Sequence, residues 1–256
     1  MSLKKTGLMT IVQSPTTAQM AARAAQDFVD AAKNLLSCYP TVAVVFSGAQ
    51  SQGEFHTALR RHKELPWNRL VAFSVDEFVA PGIPAHLRVS AQPQRDLYSW
   101  LPFHTVHVLD PDAHDTDAER RRYEQLLALH PPLVACLGVG LSGHVALNEP
   151  GADFHDPQVV RLVQVCDDSK RQLERDPNFA ALGTIPSQGL TITLPTLMAA
   201  ERVLVVVPYS LKSGIIKRLI DSPVTPELPA SLLKTHPNAT LYLDAESGFL
   251  LEGGKA

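Results

Sequence analysis

LVACLGVGLSGHVALNEPG, residues 133–151, passes from an unbroken apolar run into a glycine-rich polar loop. The run 133–137 follows Pro131 and Pro132 and shows no polar alternation, the pattern of a short strand covered on both faces in a parallel sheet. Gly138, Gly140 and Gly143 then let the backbone approach a neighbour closely or enter left-handed dihedrals, which predicts a loop around a ligand instead of a helix. Ser142, His144, Asn148 and Glu149 on that loop can donate, accept or move protons. In open α/β sheets the crevice beyond the carboxyl ends of the strands is the usual ligand site, so position and chemistry point to the same place.

On either side of this stretch, strands and helices alternate. A short β-like lead at 8–12 precedes a helix capped by Thr16 or Thr17 and running to about Leu36, with Met20, Ala24, Phe28, Ala31 and Leu35 on one face. TVAVVFSG (41–48) is a β-branched strand, and 52–62 reads as a helix. The turn between them, Ser47-Gly48-Ala49-Gln50-Ser51, presents backbone N–H groups and small hydroxyls that suit a phosphate, although a plain strand-to-helix turn has the same pattern. The strand 70–75 delivers Asp76 and Glu77; two carboxylates at a strand end seldom serve packing. A helix from about His86 to Leu101, a strand at 106–109 and a charged helix at 116–129 follow.

Beyond the glycine loop, strands are expected at 159–165, 189–195, 202–208 and 241–243. A helix is read at 168–174 and another capped by Ser210 and carrying Lys212, Lys217 and Arg218. The segment 176–188 has no period and reads as a lid over the site. The whole predicts one α/β domain, 1–256, with a doubly wound, mostly parallel, Rossmann-like sheet and helices on both faces.

Composition narrows the function. The 256 residues carry a net charge of -3, with 45% hydrophobic and 19% charged residues, and Lys and Arg are scattered, which disfavours nucleic acid. Cys38, Cys136 and Cys166 form no CxxC pair and are odd in number, so neither a disulfide framework nor a metal site is expected, and the setting is reducing and cytoplasmic. No apolar run approaches the roughly 18 residues of a membrane span, and the first residues lack the apolar core of a signal peptide.

VDEFV (75–79), GVGLSGHVALNEPG (138–151), PYSLK (208–212) and PASLLKTHPNATLYLD (229–244) together resemble the glucosamine-6-phosphate deaminase/isomerase family, in order and over about residues 41–251. Its superfamily includes 6-phosphogluconolactonases and sugar-phosphate-sensing domains of bacterial regulators. The resemblance implies conversion of an aminosugar 6-phosphate, of glucosamine or galactosamine type, to a ketose 6-phosphate and ammonia. It implies no cofactor, a small-molecule sugar phosphate as partner, and an assembly that a homo-oligomer would suit. By resemblance, Asp76 moves a proton between C2 and C1 of the open-chain sugar, and His144, oriented by Glu149, assists ring opening. Gly48 and Ser51 match the phosphate turn, whose usual glycine pair is here Ala49-Gln50, and Lys212 and Arg171 match phosphate contacts. Ser142 stands where most such deaminases have an aspartate, which reduces the relay from two carboxylates to Glu149.

The residues themselves support this reading. Proton transfer next to a carbonyl needs a carboxylate base, a second acid/base and an anchor for the phosphate, and the candidates all fall at or beyond expected strand ends. The competing readings are a lactonase-type hydrolase and a non-catalytic sugar-phosphate sensor. Asn148-Glu149-Pro150 favours the deaminase over the first, and Asp76, His144 and Glu149 together disfavour the second. GLSGH does not match the GxSxG nucleophile elbow.

Overall fold

A computed structural model describes residues 2–175 and 177–252. The chain opens with a hairpin of β1 (Ser2–Thr6) and β2 (Met9–Gln13). Thr16 accepts a hydrogen bond from the Gln19 amide and so caps α1 (Thr17–Cys38). β3 (Val42–Phe46), α2 (Gly53–Leu59), β4 (Leu70–Ser74) and β5 (Asp76–Phe78) follow. α3 (Ala91–Pro93) widens into a π-helical turn at Gln94–Tyr98, then come β6 (Thr105–His107), α4 (Thr116–Leu129) capped by Asp115, and β7 (Pro132–Leu137). The last third holds β8 (Val160–Gln164), α5 (Asp167–Glu174), α6 (Pro177–Ala180), β9 (Gln188–Ile192), α7 (Leu194–Met198), β10 (Arg202–Val207), α8 (Ser213–Asp221) and β11 (Ala239–Leu243).

Eight strands form one sheet in the order β1-β2-β11-β10-β7-β3-β4-β6, parallel throughout except for the β1–β2 hairpin. The two strands at the centre, β3 and β7, are apolar at every position because both faces are covered. Val42, Val44 and Phe46 face Phe28 and the rest of the α1 side, whereas Ala43 and Val45 face the cluster that contains Tyr123 of α4, Leu197 of α7 and Ile216 of α8. This is the doubly wound, Rossmann-like arrangement expected from the sequence. No helix among the described residues is long and apolar enough to cross a membrane.

A second, three-stranded antiparallel sheet, β5-β9-β8, departs from that expectation. The strands at 159–165 and 189–195 do not extend the large sheet; they pair with each other and with a strand made of Asp76, Glu77 and Phe78. Leu190, Ile192 and Val160 pack into the main core, while Phe78 joins Ile83, Leu147, Val165 and Phe179 in a cluster of its own. The segment read as a periodless lid contains α6, and its Leu182 and Ile185 pack on this cluster; Asp176 lies outside the described residues. The expected helix over 86–101 is shorter: Ala85–Leu87 is a separate 3-10 turn, and the helical run begins at Ala91 and ends at Tyr98. Ser210 does not cap a helix through its side chain: Ser210–Lys212 is a 3-10 turn leading into α8, with Lys212 ahead of the helix.

Gly48 ties the turn after β3 to the segment before α3, since a Cβ there would collide with the backbone carbonyl oxygen of Val89. Gly48→Ala should therefore lower stability by about 1–3 kcal/mol, read as a shift in the denaturation midpoint. A variant as stable as the parent would show that this approach is slack.

Candidate active site

From β3 the chain winds outward through β4 and β6, and from β7 it winds the other way through β10 and β11, so the loops after β3 and β7 part above the sheet. Such a switch point is where open α/β sheets bind ligands. A cavity of about 130 Å3 lies there, lined by Ser47, Gly48, Ala49, Ser51 and Gln52 after β3, Asp76 after β4, Gly138, Val139, Gly140, His144 and Ala146 after β7, and Lys212 after β10. A roomier cleft of about 350 Å3 near the first residues of β10 and β11 is lined by Arg23, Asp27, Arg202 and Thr240. Its guanidinium groups are engaged within the fold, Arg23 with Asp27 and Arg202 with Asn238 O and Thr240 Oγ1, and it holds no proton-transfer group comparable to those of the smaller cavity.

The two neighbouring carboxylates divide their work. The buried Asp76 side chain faces the cavity, and no hydrogen bond to its carboxylate is present among the described residues. Burial, then the charges of Glu77 and Glu149, push its carboxyl up to about 8. Glu77 points away and clamps the segment before α3: Oε1 accepts from the amides of Phe78 (3.0 Å) and Val89 (2.8 Å), and Oε2 from the Ser90 amide (3.0 Å) and hydroxyl (2.9 Å). Burial raises its carboxyl while these donors oppose the shift.

The glycine loop delivers the histidine. Gly143 sits in the left-handed region at φ 91°, and Ala146 is held there too at φ 52°. At Gly140 any side chain would occupy the place of the His144 ring, with Nε2 the nearest atom. On the far side of the ring, Nδ1 lies 2.8 Å from Ser142 Oγ and 3.2 Å from Glu149 Oε2, and Ser142 Oγ donates to the same Oε2 at 3.1 Å. Burial works against the charge of Glu149, but the hydrogen bond and charge of His144, with help from Ser169 and Cys166, outweigh it and hold the carboxyl down at about 2. Asn148 is part of the frame, donating to Val145 O and Ile192 O at 2.9 Å each and so fastening the loop to β9.

Lys212 Nζ donates to Val139 O at 2.9 Å, and burial lowers its ammonium to about 8. An anion at this place would be its natural counter-charge. The structure thus brings Gly48, Ala49, Ser51, Asp76, His144 and Lys212 to one cavity, with Ser142 and Glu149 behind the histidine. Two of the expected site residues lie elsewhere: Gln50 is exposed and off the cavity wall, and Arg171 projects from α5, exposed and paired with Asp168 at 2.5 Å. Sequence reasoning missed Gln52, whose Nε2 donates to Val206 O at 3.0 Å beside the cavity, and it missed Cys166 and Ser169 at the relay. Among the described residues no group of three or more His, Cys, Asp or Glu side chains is arranged to hold a metal ion.

The profile of glucosamine-6-phosphate isomerases/6-phosphogluconolactonase matches residues 15–242. A glucosamine-6-phosphate deaminase of Bacillus cereus (strain B4264) is 30% identical over 210 residues, 81% of this chain and 77% of that protein. One from Lactobacillus delbrueckii subsp. bulgaricus (strain ATCC BAA-365 / Lb-18) is 29% identical over 191 residues, 74% of this chain and 79% of that one. Among solved structures, a monomeric glucosamine-6-phosphate deaminase aligns with a TM-score of 0.82 at 21% identity, covering 94% of this chain and 99% of that chain. The 6-phosphogluconolactonase of Trypanosoma brucei aligns with a TM-score of 0.76 at 19% identity, covering 98% and 100%. These two likenesses speak for the fold alone. The profile match spans most of the chain and carries the assignment: the chain belongs to the glucosamine-6-phosphate isomerase/6-phosphogluconolactonase family of enzymes.

Proposed function

We propose that the protein, acting as one unit over residues 1–256, isomerises and deaminates an aminosugar 6-phosphate, of glucosamine or galactosamine type, in the cytoplasm. The observation that carries this reading is Asp76, a buried carboxylate that has no hydrogen-bond partner among the described residues and shares a cavity with His144 and Lys212. A base that must take a proton from carbon works best with its pKa near the working pH, and Asp76 is pushed up to about 8. His144, backed by Glu149, opens the ring by taking the proton of the C1 hydroxyl on Nε2 and passing it to the ring oxygen as the bond between C1 and that oxygen breaks. Asp76 removes the proton from C2 and returns it to C1 as the carbonyl oxygen gains a proton and the nitrogen loses one, which leaves an imine at C2. Water adds there, and the carbon–nitrogen bond breaks to release ammonia and the ketose. Lys212 and the Ser47–Ser51 turn hold the phosphate at the other end.

A lactonase would turn such a base on water and an isomerase would turn it on C2, so the products separate the isomerase from the hydrolase that shares its fold. The deciding experiment offers the protein glucosamine, galactosamine and mannosamine 6-phosphates and a 6-phosphogluconolactone, and measures ammonia, ketose phosphate and lactone hydrolysis side by side. Equal yields of ammonia and ketose phosphate from one epimer support the reading and name the sugar. Lactone hydrolysis without ammonia from any aminosugar would overturn it.

A further inference from the structure

Glu149 is held by one oxygen. Its side chain is buried, and Oε1 has no partner among the described residues, whereas Oε2 receives three groups: Ser142 Oγ, His144 Nδ1 and, at 3.2 Å, Cys166 Sγ. Cys166 stands at the N-terminal boundary of α5 yet makes no capping hydrogen bond; its S–H goes to the carboxylate instead. Ser169, one turn into the same helix, places Oγ 3.3 Å from His144 Nδ1 and 3.5 Å from Cys166 Sγ. Of the four side chains gathered behind the ring, Ser142, Glu149, Cys166 and Ser169, two therefore come from a segment remote from the glycine loop.

We propose that Cys166 and Ser169 are positioning residues that fix which nitrogen of His144 carries the proton, a role that rests on the isomerase/deaminase reading above. An ionised carboxylate only accepts hydrogen bonds, so the proton between Oε2 and the ring belongs on Nδ1, and Nε2 of the neutral ring then presents its lone pair on the cavity side. The hydroxyl of Ser142 does not make this choice by itself: its one proton goes to Oε2, so it accepts from Nδ1–H only while the carboxylate is there to receive it. Only the carboxylate selects, and it selects only while it is kept in place. With Oε1 unheld, the Cys166 thiol gives Oε2 a contact from outside the glycine loop, and Ser169 of the same helix closes the space behind Nδ1. Where an aspartate would fix the tautomer directly, this chain has a serine and leans on α5.

The test compares the parent with Cys166→Ala, Ser169→Ala, the double variant and Cys166→Ser. The histidine tautomer is read by 15N NMR of the ring without substrate, and kcat and KM are measured with the aminosugar 6-phosphate that the parent turns over. The parent should show His144 as the Nδ1–H form, and the double variant a mixture with Nε2–H. Its kcat should fall about 10- to 100-fold with KM within about twofold, since the defect lies in orientation and not in phosphate binding. Cys166→Ser, which keeps a donor to Oε2, should restore both readings. A double variant with the parental tautomer overturns the proposal, and so does a kcat loss that Cys166→Ser does not reverse. Should the double variant fail to fold, Ser169→Ala with a parental tautomer and kcat overturns the part assigned to Ser169, and Cys166→Ala that assigned to Cys166. A parent inactive on every aminosugar phosphate refutes the function, while the tautomer still decides the role of Cys166 and Ser169.

Discussion

Asp76→Asn is expected to cost about 100- to 10,000-fold in turnover and, at the same time, to make the fold more stable at neutral and alkaline pH. The first effect follows from removing the base while keeping its size, so substrate affinity should change little. The second follows from linkage. The folded carboxyl is raised from 3.8 to about 8, so as pH rises past 4 the unfolded chain gives up this proton first and the native state holds it until about 8. The unfolded state thus binds fewer protons across that window, and stability falls as pH rises through it. Asparagine carries no such charge, and the gain at pH 8 should be on the order of 5 kcal/mol, vanishing near pH 3.5. Thermal melts of both proteins across pH 3.5–9 check it. A variant that melts below the parent at pH 8, or one that keeps its turnover, would falsify the assignment of Asp76 as a buried base.

Lys212→Ala should weaken binding of phosphorylated sugars about 10- to 100-fold, the worth of a hydrogen bond to a charged group, and leave the feeble binding of the free sugars unchanged. Lys212 is the lysine that reaches the cavity wall, and burial has already brought its ammonium down to about 8. Its charge is present below that value and lost above it, so phosphate binding should fade as pH passes 8. Asp76 becomes an active base as pH climbs through the same region. The two limbs give kcat/KM a narrow bell near pH 8, and Lys212→Ala should remove the alkaline limb that belongs to binding. Calorimetric titration with phosphorylated and free sugar separates the cases: equal weakening of both would show that Lys212 supports the pocket without contacting phosphate.

The parts legible in the sequence are those fixed by local pattern. Thr16 and the spacing of Met20, Ala24 and Phe28 give α1, Asp115 starts α4, and the apolar runs at 42–46, 133–137 and 202–207 give strands of the large sheet. The glycine loop announced His144 and Glu149, because few folds other than a ligand site place so many glycines among proton-moving groups. What stayed hidden depends on partners far away in the chain. Asp76–Phe78 is three residues long, too short for any period, and becomes a strand only because β9 lies beside it. Arg171 matches a phosphate contact by resemblance of its segment to the family, but spacing from Asp168 turns it into an ion pair on an exposed helix face. No local signal marked Cys166 or Ser169, since their meaning comes from Glu149, seventeen and twenty positions earlier.

Val75 is the single residue between β4 and β5. Its amide donates to Phe46 O of the large sheet, and its carbonyl accepts from the Ile192 amide of the small one. Side chains alternate along an extended chain, so the seam also sets parity: Asp76 meets the cavity and Glu77 meets the clamp on the 85–90 segment. Loss or gain of one residue at this seam would exchange the two acids, putting the longer side chain over the substrate and leaving the shorter one to reach for Val89 and Ser90. Loops around the rim can change in length without touching this parity, but at position 75 the reading frame of the strand decides which acid enters the candidate site.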